Sequence, residues 1–430
     1  MTVESSDQAL DRGPGASPGA ARVVAALCVA FVVSQFYRSS NAVIAPDLMR
    51  DVGLTPAALG ILTGAFFVTF GLLQLPIGVL LDRLGPRLTI ASTLVLAVAG
   101  AVVFATAETM AGLTFGRVLM GAGCASVFIG ALVVCARWYP PARLAAAAGI
   151  LLGVGGLGNI LSTTPLALVA GSVGWRGAFL GMAAVTALAV VVVFAVVRDA
   201  PPGHAFHSRQ RETLGAAFAG VREVLGDRRM RLVLIMAFVG YPTTATIHGL
   251  WGGPYLHDAL GLDGVGRGNV LLAMAGGLIV GMLGVGSLDR IFDTRKRLVT
   301  FGALTTAALL TVLALAPTPT PVVAALLFGA LGVIGAYVVV ILAHGRAFFP
   351  ERLVGRALTA INFAAFMGVA AMQVATGFIV GAFPTSEGAA PEIAYRSVFG
   401  FLALMIAIAV AIYRRVEDRR PSDGIPEDGA

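Results

Sequence analysis

Long apolar runs recur along the whole of this 430-residue chain, and they constrain its fold more than any other feature. Hydrophobic residues make up 57% of the sequence and charged residues only 12%, which is more apolar surface than a water-soluble core can bury. The runs are continuous and do not alternate with a period of two, so they predict membrane-spanning helices rather than barrel strands. We therefore expect an all-α membrane protein that has the lipid bilayer as its solvent.

Twelve runs are long enough to cross the bilayer, which takes about 20 residues of helix. They lie at about 21–46, 57–81, 88–107, 110–136, 144–172, 177–197, 232–256, 268–288, 298–316, 321–345, 357–382 and 396–413. One long polar stretch divides them into six and six. The predicted organisation is a disordered tail (1–20), an N-terminal six-helix bundle (21–198), a central loop (199–231), a C-terminal six-helix bundle (232–414) and a second tail (415–430).

The two halves also resemble each other. Short motifs recur in the same order at offsets between 207 and 220 positions: Asp82-Arg83 as Asp289-Arg290, Phe115-Gly116 as Phe328-Gly329, Arg143-Leu144 as Arg352-Leu353, and Trp175-Arg176 as Tyr395-Arg396. Each copy falls at the same end of an equivalent span. Such parallel repeats predict two pseudo-symmetric bundles with a binding site between them near the middle of the membrane.

The basic residues predict the orientation. If both termini are cytoplasmic, 24 of the 30 Lys and Arg residues lie in cytoplasmic tails and loops. This asymmetry predicts a multi-pass protein of a bacterial-type cytoplasmic (inner) membrane with both ends inside. The net charge of +7 then faces the anionic inner leaflet, so it does not call for a nucleic-acid partner.

A compact charged turn joins the second and third spans. It has the sequence Gly78-Val-Leu-Leu-Asp82-Arg83-Leu-Gly85-Pro-Arg87 and resembles the loop signature between the second and third helices of the major facilitator superfamily. With the span order and the duplicated halves, the resemblance covers nearly the whole chain. It implies a secondary transporter that works by alternating access and is a monomer. No metal-ligand cluster or nucleophile–base set stands out, so we expect no cofactor, no metal site and no enzyme activity.

Alternating access needs contacts that hold one side shut and then break. Asp82 can reach the positive N-terminal end of the eleventh span in the other half, and Asp289 could mirror it toward the fifth. The predicted cytoplasmic latch consists of Gly78, Asp82, Arg83, Gly85, Arg87, Asp289, Arg290, Arg143 and Arg352.

Two arginines lie within spans, Arg38 in the first and Arg117 in the fourth. A guanidinium at this depth costs about 2.5–3.5 kcal/mol on insertion scales, so it should face the bundle interior or a wet cavity. On a continuous helix Gln35, Arg38 and Asn41 share one face with Ser34, and we expect this stripe to line the cavity together with Tyr37. The motif that Arg117 opens, R-x-x-x-G-x-G, resembles the fourth-span signature of the superfamily and implies a coupling or structural role.

His248 lies 210 positions after Arg38, on a stripe with Tyr241 and Trp251 at helical spacing. Arg38 and His248 would then face each other across the pseudo-twofold axis. A permanent cation opposite a side chain that titrates near neutral pH suits a carboxylate or another small anion. Asn159 in the fifth span and Gln373 in the eleventh offer further polar groups.

Since no carboxylate occupies the middle of any span, the sequence favours an organic anion as substrate, with proton symport or anion exchange as the coupling. The segment Tyr37-Arg38-x-x-Asn41-x-x-Ile44-Ala45-Pro46 resembles the first-span pattern of the anion:cation symporter and organophosphate-exchange branches. The nitrate and nitrite porters carry an arginine in the second span, which this chain lacks. A proton-coupled exporter of hydrophobic drugs is the alternative, although Gly158-Asn159 stands where those antiporters carry Gly-Pro.

Overall fold

A computed structural model of the chain describes residues 19–201, 220, 222–384 and 389–423. Most of the predicted first tail (1–20), the middle of the predicted central loop (199–231) and the end of the predicted second tail (415–430) lie outside these residues, as does the side chain of Arg352. The fold is all-α, which confirms the fold class expected from the sequence.

The helices fall into two series. Those of the first half are α1 (Ala20–Ser39), α2 (Asn41–Val52), α3 (Pro56–Leu72), α4 (Gln74–Thr106), α5 (Met110–Cys124), α6 (Val127–Trp138), α7 (Pro141–Gly155), α8 (Leu157–Leu161) and α9 (Thr164–Val196). Those of the second half are α10 (Arg228–Thr246), a π-helical turn (Ile247–Trp251), α11 (Gly252–Asp258), α12 (Gly264–Ile291), α13 (Lys296–Leu315), α14 (Pro321–Gly335), α15 (Val338–Arg346), α16 (Glu351–Gly381) and α17 (Glu392–Tyr413).

These helices supply the expected spans in the expected order. Within the described residues, ten helices are long and apolar enough to cross a membrane, and two shorter apolar segments, Pro56–Leu72 and Ala146–Leu161, complete the set. Large apolar side chains such as Phe301 and Leu326 are exposed on the outside of the protein. Lipid would cover them, because a helix satisfies its own backbone hydrogen bonds and can present side chains to hydrocarbon.

Two glycines reverse the chain between spans. Gly85 interrupts α4 with φ +80°, and Gly174 interrupts α9 with φ +75°, so each of these helices contains parts of two successive spans. Glycine adopts this left-handed region without the penalty that a Cβ atom brings. The charged turn expected around Gly85 is therefore a sharp break in an otherwise helical path.

Equivalent aspartates cap a helix N-terminus in each half, which the sequence motifs do not indicate. The carboxylate of Asp199 accepts the backbone N–H of Arg87 at 2.7 Å at the start of the third span, and that of Asp418 accepts the N–H of Lys296 at 2.9 Å at the start of α13. A negative charge at a helix N-terminus is favourable because it compensates unpaired N–H groups there.

At the other ends of the spans, Asp51 accepts a hydrogen bond from the indole of Trp175 at 3.0 Å, and Asp258 accepts one from the hydroxyl of Tyr395. The recurrence of Trp175 as Tyr395 thus corresponds to equivalent bonds in the two halves.

The halves approach each other closely on the side opposite the described chain ends, Gly19 and Asp423. A Cβ atom on Gly253 of α11 would lie 1.6 Å from the carbonyl oxygen of Ala42 in α2, and one on Gly60 of α3 would lie 2.4 Å from the carbonyl oxygen of Gln373 in α16. Small residues permit this close approach of helix backbones. Space for a solute therefore lies toward the side that carries the termini.

Candidate functional site

A cavity of about 490 Å³ lies between the halves and takes its lining from both. Most of its walls are apolar or aromatic. Five of the nine side chains expected to bind substrate line it: Gln35, Arg38, Asn159, Tyr241 and His248. Its lining follows α7 and α16 toward the termini side, where Gly149 and Ile361 belong to it.

Arg38 is the charged group of this cavity. It lies in the last turn of α1, and its guanidinium carbon is 4.8 Å from the ring centre of Phe70 and 5.1 Å from that of Phe366. Phe70 belongs to the first half and Phe366 to the second, and their rings are 4.5 Å apart. Within the described residues the guanidinium has neither an ion pair nor a hydrogen bond, and its buried Nε has no partner.

Aromatic faces attract a cation but carry no net charge. The charge of Arg38 is therefore held in place while it remains open to an anion.

His248 enters the cavity from the π-helical turn of the seventh span. Turns of this type are rare and occur often at functional sites, because the extra residue re-aims the side chains around it. The buried Nε2 of His248 has no partner among the described residues. A Cβ atom on the adjacent Gly249 would lie 3.5 Å from the carbonyl oxygen of Arg38, so the two segments touch across the interface.

The other four expected binding residues do not line the cavity. The hydroxyl of Tyr37 bonds to that of Thr186 at 2.8 Å, and the amide of Asn41 donates to Thr63 at 2.9 Å. Trp251 donates its indole N–H to Thr376 at 2.7 Å. Gln373 is fully buried where the second and eleventh spans meet, and its amide atoms have no hydrogen-bond partner among the described residues.

The reason for these displacements is local. The helical hydrogen bonding of the first span is interrupted at Ser40, and Asn41 begins a new helix in which its amide is engaged by Thr63. The π-helical turn likewise moves Trp251 off the stripe of His248. A direct role of these side chains in binding stays a prediction.

Arg117 is fully buried and lies outside the cavity lining. It donates from Nη1 to the backbone carbonyl of Tyr37 at 2.8 Å, and its guanidinium carbon is 4.8 Å from the ring centre of Phe66. Its Nε and Nη2 have no partner among the described residues. Arg117 therefore holds the backbone next to Arg38, and the structure places it where it can position that residue.

The expected latch residues lie on the termini side. Arg87 stacks its guanidinium on Phe194 at 4.5 Å and donates to the carbonyl of that residue at 2.8 Å, and Asp289 lies 3.7 Å from Arg295. In the described part of the chain, the side chains of Asp82, Arg83, Arg143 and Arg290 form no ion pair or hydrogen bond, and Gly78 faces open space. In this conformation these groups therefore form no latch contacts between the halves. The latch stays a prediction for the state in which the termini side is closed.

Sequence reasoning missed the polar groups that close the other side. Arg267 in α12 donates to the carbonyl of Val43 at 3.4 Å and lies 3.8 Å from Asp47. Thr164 in α9 donates to the amide oxygen of Asn269 at 2.8 Å. In the sequence these residues stand out only by lying at the ends of spans. Many residues that form no contact between the halves lie at such positions too. Gln74, which lines the cavity at the start of α4, was also missed.

Known proteins match both the sequence and the fold. The chain is 31% identical over 191 residues to the nitrate/nitrite transporter NrtP of Picosynechococcus sp., which covers 38% of this chain and 36% of that protein. It is 26% identical over 251 residues to the probable sulfoacetate transporter SauU of Cupriavidus necator, covering 56% and 58%. The chain thus spans only about a third to three fifths of the length of these curated relatives.

Among solved structures, a bacterial homolog of the human lysosomal transporter Spinster, in an inward-facing and unoccupied conformation, matches with a TM-score of 0.73. The match covers 93% of this chain and 97% of that one at 19% identity, so it supports the fold alone. The family model of the Major Facilitator Superfamily matches residues 27–344, about three quarters of the chain. This match establishes that the chain belongs to the Major Facilitator Superfamily, in agreement with the duplicated helical halves and the cavity between them.

Proposed function

We propose that this transporter moves a small organic anion across a bacterial cytoplasmic membrane by alternating access, as a monomer with both termini inside. The observation that carries the proposal is the guanidinium of Arg38, which lines the cavity between the halves without an ion pair among the described residues. A buried cation without a counter-ion is costly, and an anionic solute would supply the missing charge. With the termini inside, the packing described above corresponds to an inward-facing state.

His248 is the proposed coupling residue. When its ring is neutral, the unpartnered Nε2 can accept a proton as an anion arrives nearby. Anion and proton would then move together, which is symport. Exchange of one anion for another needs no proton on His248. The need for this proton therefore distinguishes symport from exchange.

The test of the anion site compares Arg38→Gln with Arg38→Lys in purified protein reconstituted into vesicles. Arg38→Gln removes the charge, whereas Arg38→Lys keeps it without the flat, forked guanidinium. We expect uptake of organic anions to fall by about tenfold or more in Arg38→Gln and by less in Arg38→Lys. Parental uptake by a correctly inserted Arg38→Gln protein would refute the proposal.

The test of coupling uses His248→Gln. Uptake driven by a pH gradient should be lost, while exchange of labelled for unlabelled anion at equal pH should persist. If both rates stay at the parental level, His248 is not the proton carrier.

Export of hydrophobic drugs is a second candidate, and the apolar walls of the cavity favour it. Many such drugs are lipophilic cations, which Arg38 would repel in a cavity whose described lining includes no carboxylate. The anion proposal is therefore preferred. A panel of lipophilic cations in the same vesicle assay distinguishes the two functions.

A further inference from the structure

The cavity combines a single fixed charge with apolar walls. Of the described residues that line it, Arg38 alone carries a permanent charge, and none is acidic. His248 is the one other side chain there that can become cationic, and it does so only by taking up a proton. The site can thus neutralise one negative charge without help.

The first half contributes four phenylalanines to the lining, Phe31, Phe67, Phe70 and Phe128. The rings of Phe31 and Phe128 stack at 5.2 Å and present a flat apolar surface. The second half contributes Ile279 and other aliphatic and thioether side chains: Met274, Leu278, Met282, Ile341 and Leu342. Neutral polar side chains such as Gln35, Gln74 and Asn362 also line the cavity, but apolar groups form most of its surface and gain from contact with an apolar solute.

From this combination we infer that the substrate class is a monovalent carboxylate or sulfonate that carries an apolar body of about the size of a phenyl ring. The inference rests on the proposed function and narrows it. The anionic group would pair with Arg38 beside the rings of Phe70 and Phe366, and the body would lie against the rings of Phe31 and Phe128.

Two other anion classes fit this cavity less well. A dianion brings a second charge that must be desolvated without a second permanent cation to receive it. A small inorganic anion such as nitrate satisfies Arg38 but leaves the apolar walls of a cavity of about 490 Å³ without contact. The solutes named for the two relatives above, nitrate and sulfoacetate, belong to these less favoured classes, so the inference separates this chain from both.

The test measures binding by calorimetry to the purified full-length protein, with matched probes. Benzoate and phthalate share the ring and differ by one carboxylate, while nitrate and sulfoacetate represent the two disfavoured classes. We expect benzoate to bind about tenfold more tightly than each of the other three, and its binding to weaken by about tenfold or more in Arg38→Gln.

A variant with a second cation in the cavity tests the preference for monovalent anions directly. Asn362 lines the cavity from α16, so Asn362→Lys places a second cation there and Asn362→Leu serves as the uncharged control of similar length. Phthalate should bind about tenfold more tightly to Asn362→Lys than to either the parental protein or Asn362→Leu.

The outcomes separate the two levels of the proposal. If phthalate, nitrate or sulfoacetate binds the parental protein as tightly as benzoate and still depends on Arg38, the narrower inference fails and the anion site stands. If none of the four anions binds in a manner that depends on Arg38, the inference fails together with the proposed function.

Discussion

Arg267 of α12 lies 3.8 Å from Asp47 of α2 and donates to the carbonyl of Val43, so one buried guanidinium joins the two halves on the side opposite the termini. Only 7% of the Arg267 side chain is exposed, against 29% for Asp47. A second bond between halves, from Thr164 to Asn269, lies in the same region. In the described state the polar contacts that close the space between the halves thus lie opposite the termini. The latch expected from the sequence lies on the termini side.

Replacing Asp47 by Asn should favour opening of this side. The partly exposed pair is worth about 1 kcal/mol, so the fraction of open molecules should rise about fivefold. The measurement is the labelling rate of Ala167→Cys by an impermeant maleimide, in a background whose native cysteines are replaced by alanine. Ala167 is buried against Gly268 across the interface and becomes reachable only on opening.

Arg50→Gln is the matched control, because Arg50 also bonds to Asp47 but stays within α2 with 74% of its side chain exposed. The labelling rate should stay at the parental value in that variant. Equal labelling rates for Asp47→Asn and the parental protein would show that the pair does not contribute to closure.

Gly253→Ala should prevent the described packing of α11 on α2. The added Cβ would lie 1.6 Å from a backbone oxygen, which cannot move aside as a side chain would. Overpacking of this kind costs about 1–3 kcal/mol, so transport should fall by about tenfold and labelling of Ala167→Cys should rise. Gly276→Ala, on α12 and facing open space, is the control and should retain transport. Parental transport in both variants would contradict the close packing.

Hydrophobicity and a few special residues made much of this architecture predictable. Apolar runs gave the spans, since lipid exposure leaves a helix few other options, and the turn at Gly85 followed from charged residues around a glycine between two such runs. Arg38 stood out for the same reason, because a charge within a span is too costly to be incidental.

The breaks inside the spans were not predictable in the same way. Ser40, which ends α1, is neither glycine nor proline, and the π-helical turn around His248 lies against Arg38 of the other half, a contact that the sequence does not show. The bond between Arg267 and Val43 joins residues 224 positions apart, so it depends on how the halves sit together in one state of the transport cycle. A pattern along one chain contains no signal for such a state.

Asp418 should stabilise the second half in a pH-dependent way. Burial of its carboxyl favours the neutral form, but hydrogen bonds from Thr294 and from the N–H groups of Lys296 and Arg295 outweigh that effect and lower its pKa. Because the folded pKa lies below the unfolded one, near 3.9, the stabilisation is complete at neutral pH and is lost as the pH falls through the folded pKa.

Asp418→Asn should therefore lower the free energy of unfolding by about 1 kcal/mol at neutral pH, and the difference should shrink in acid below about pH 4. Thermal unfolding in detergent at several pH values measures this difference. Glu417→Gln, at the exposed neighbouring residue, is the control. If the difference in free energy of unfolding between Asp418→Asn and the parental protein did not change with pH, the ionised Asp418 carboxylate would not be the source of the stabilisation.

Replacing Arg117 by Met should slow transport without lowering the stability of the protein. Among the described residues the buried guanidinium of Arg117 has one hydrogen bond, to the carbonyl of Tyr37, and it also contacts the ring of Phe66. These contacts offset little of the cost of removing the charge from water. Arg117→Met should unfold at a temperature equal to or above the parental value, because an apolar side chain of similar length fills the site. The same variant should transport about tenfold more slowly, since the backbone beside Arg38 is no longer held. Arg117→Lys, which keeps a donor, should recover part of the rate. A large fall in the unfolding temperature of Arg117→Met would instead identify the arginine as a structural support of the first half.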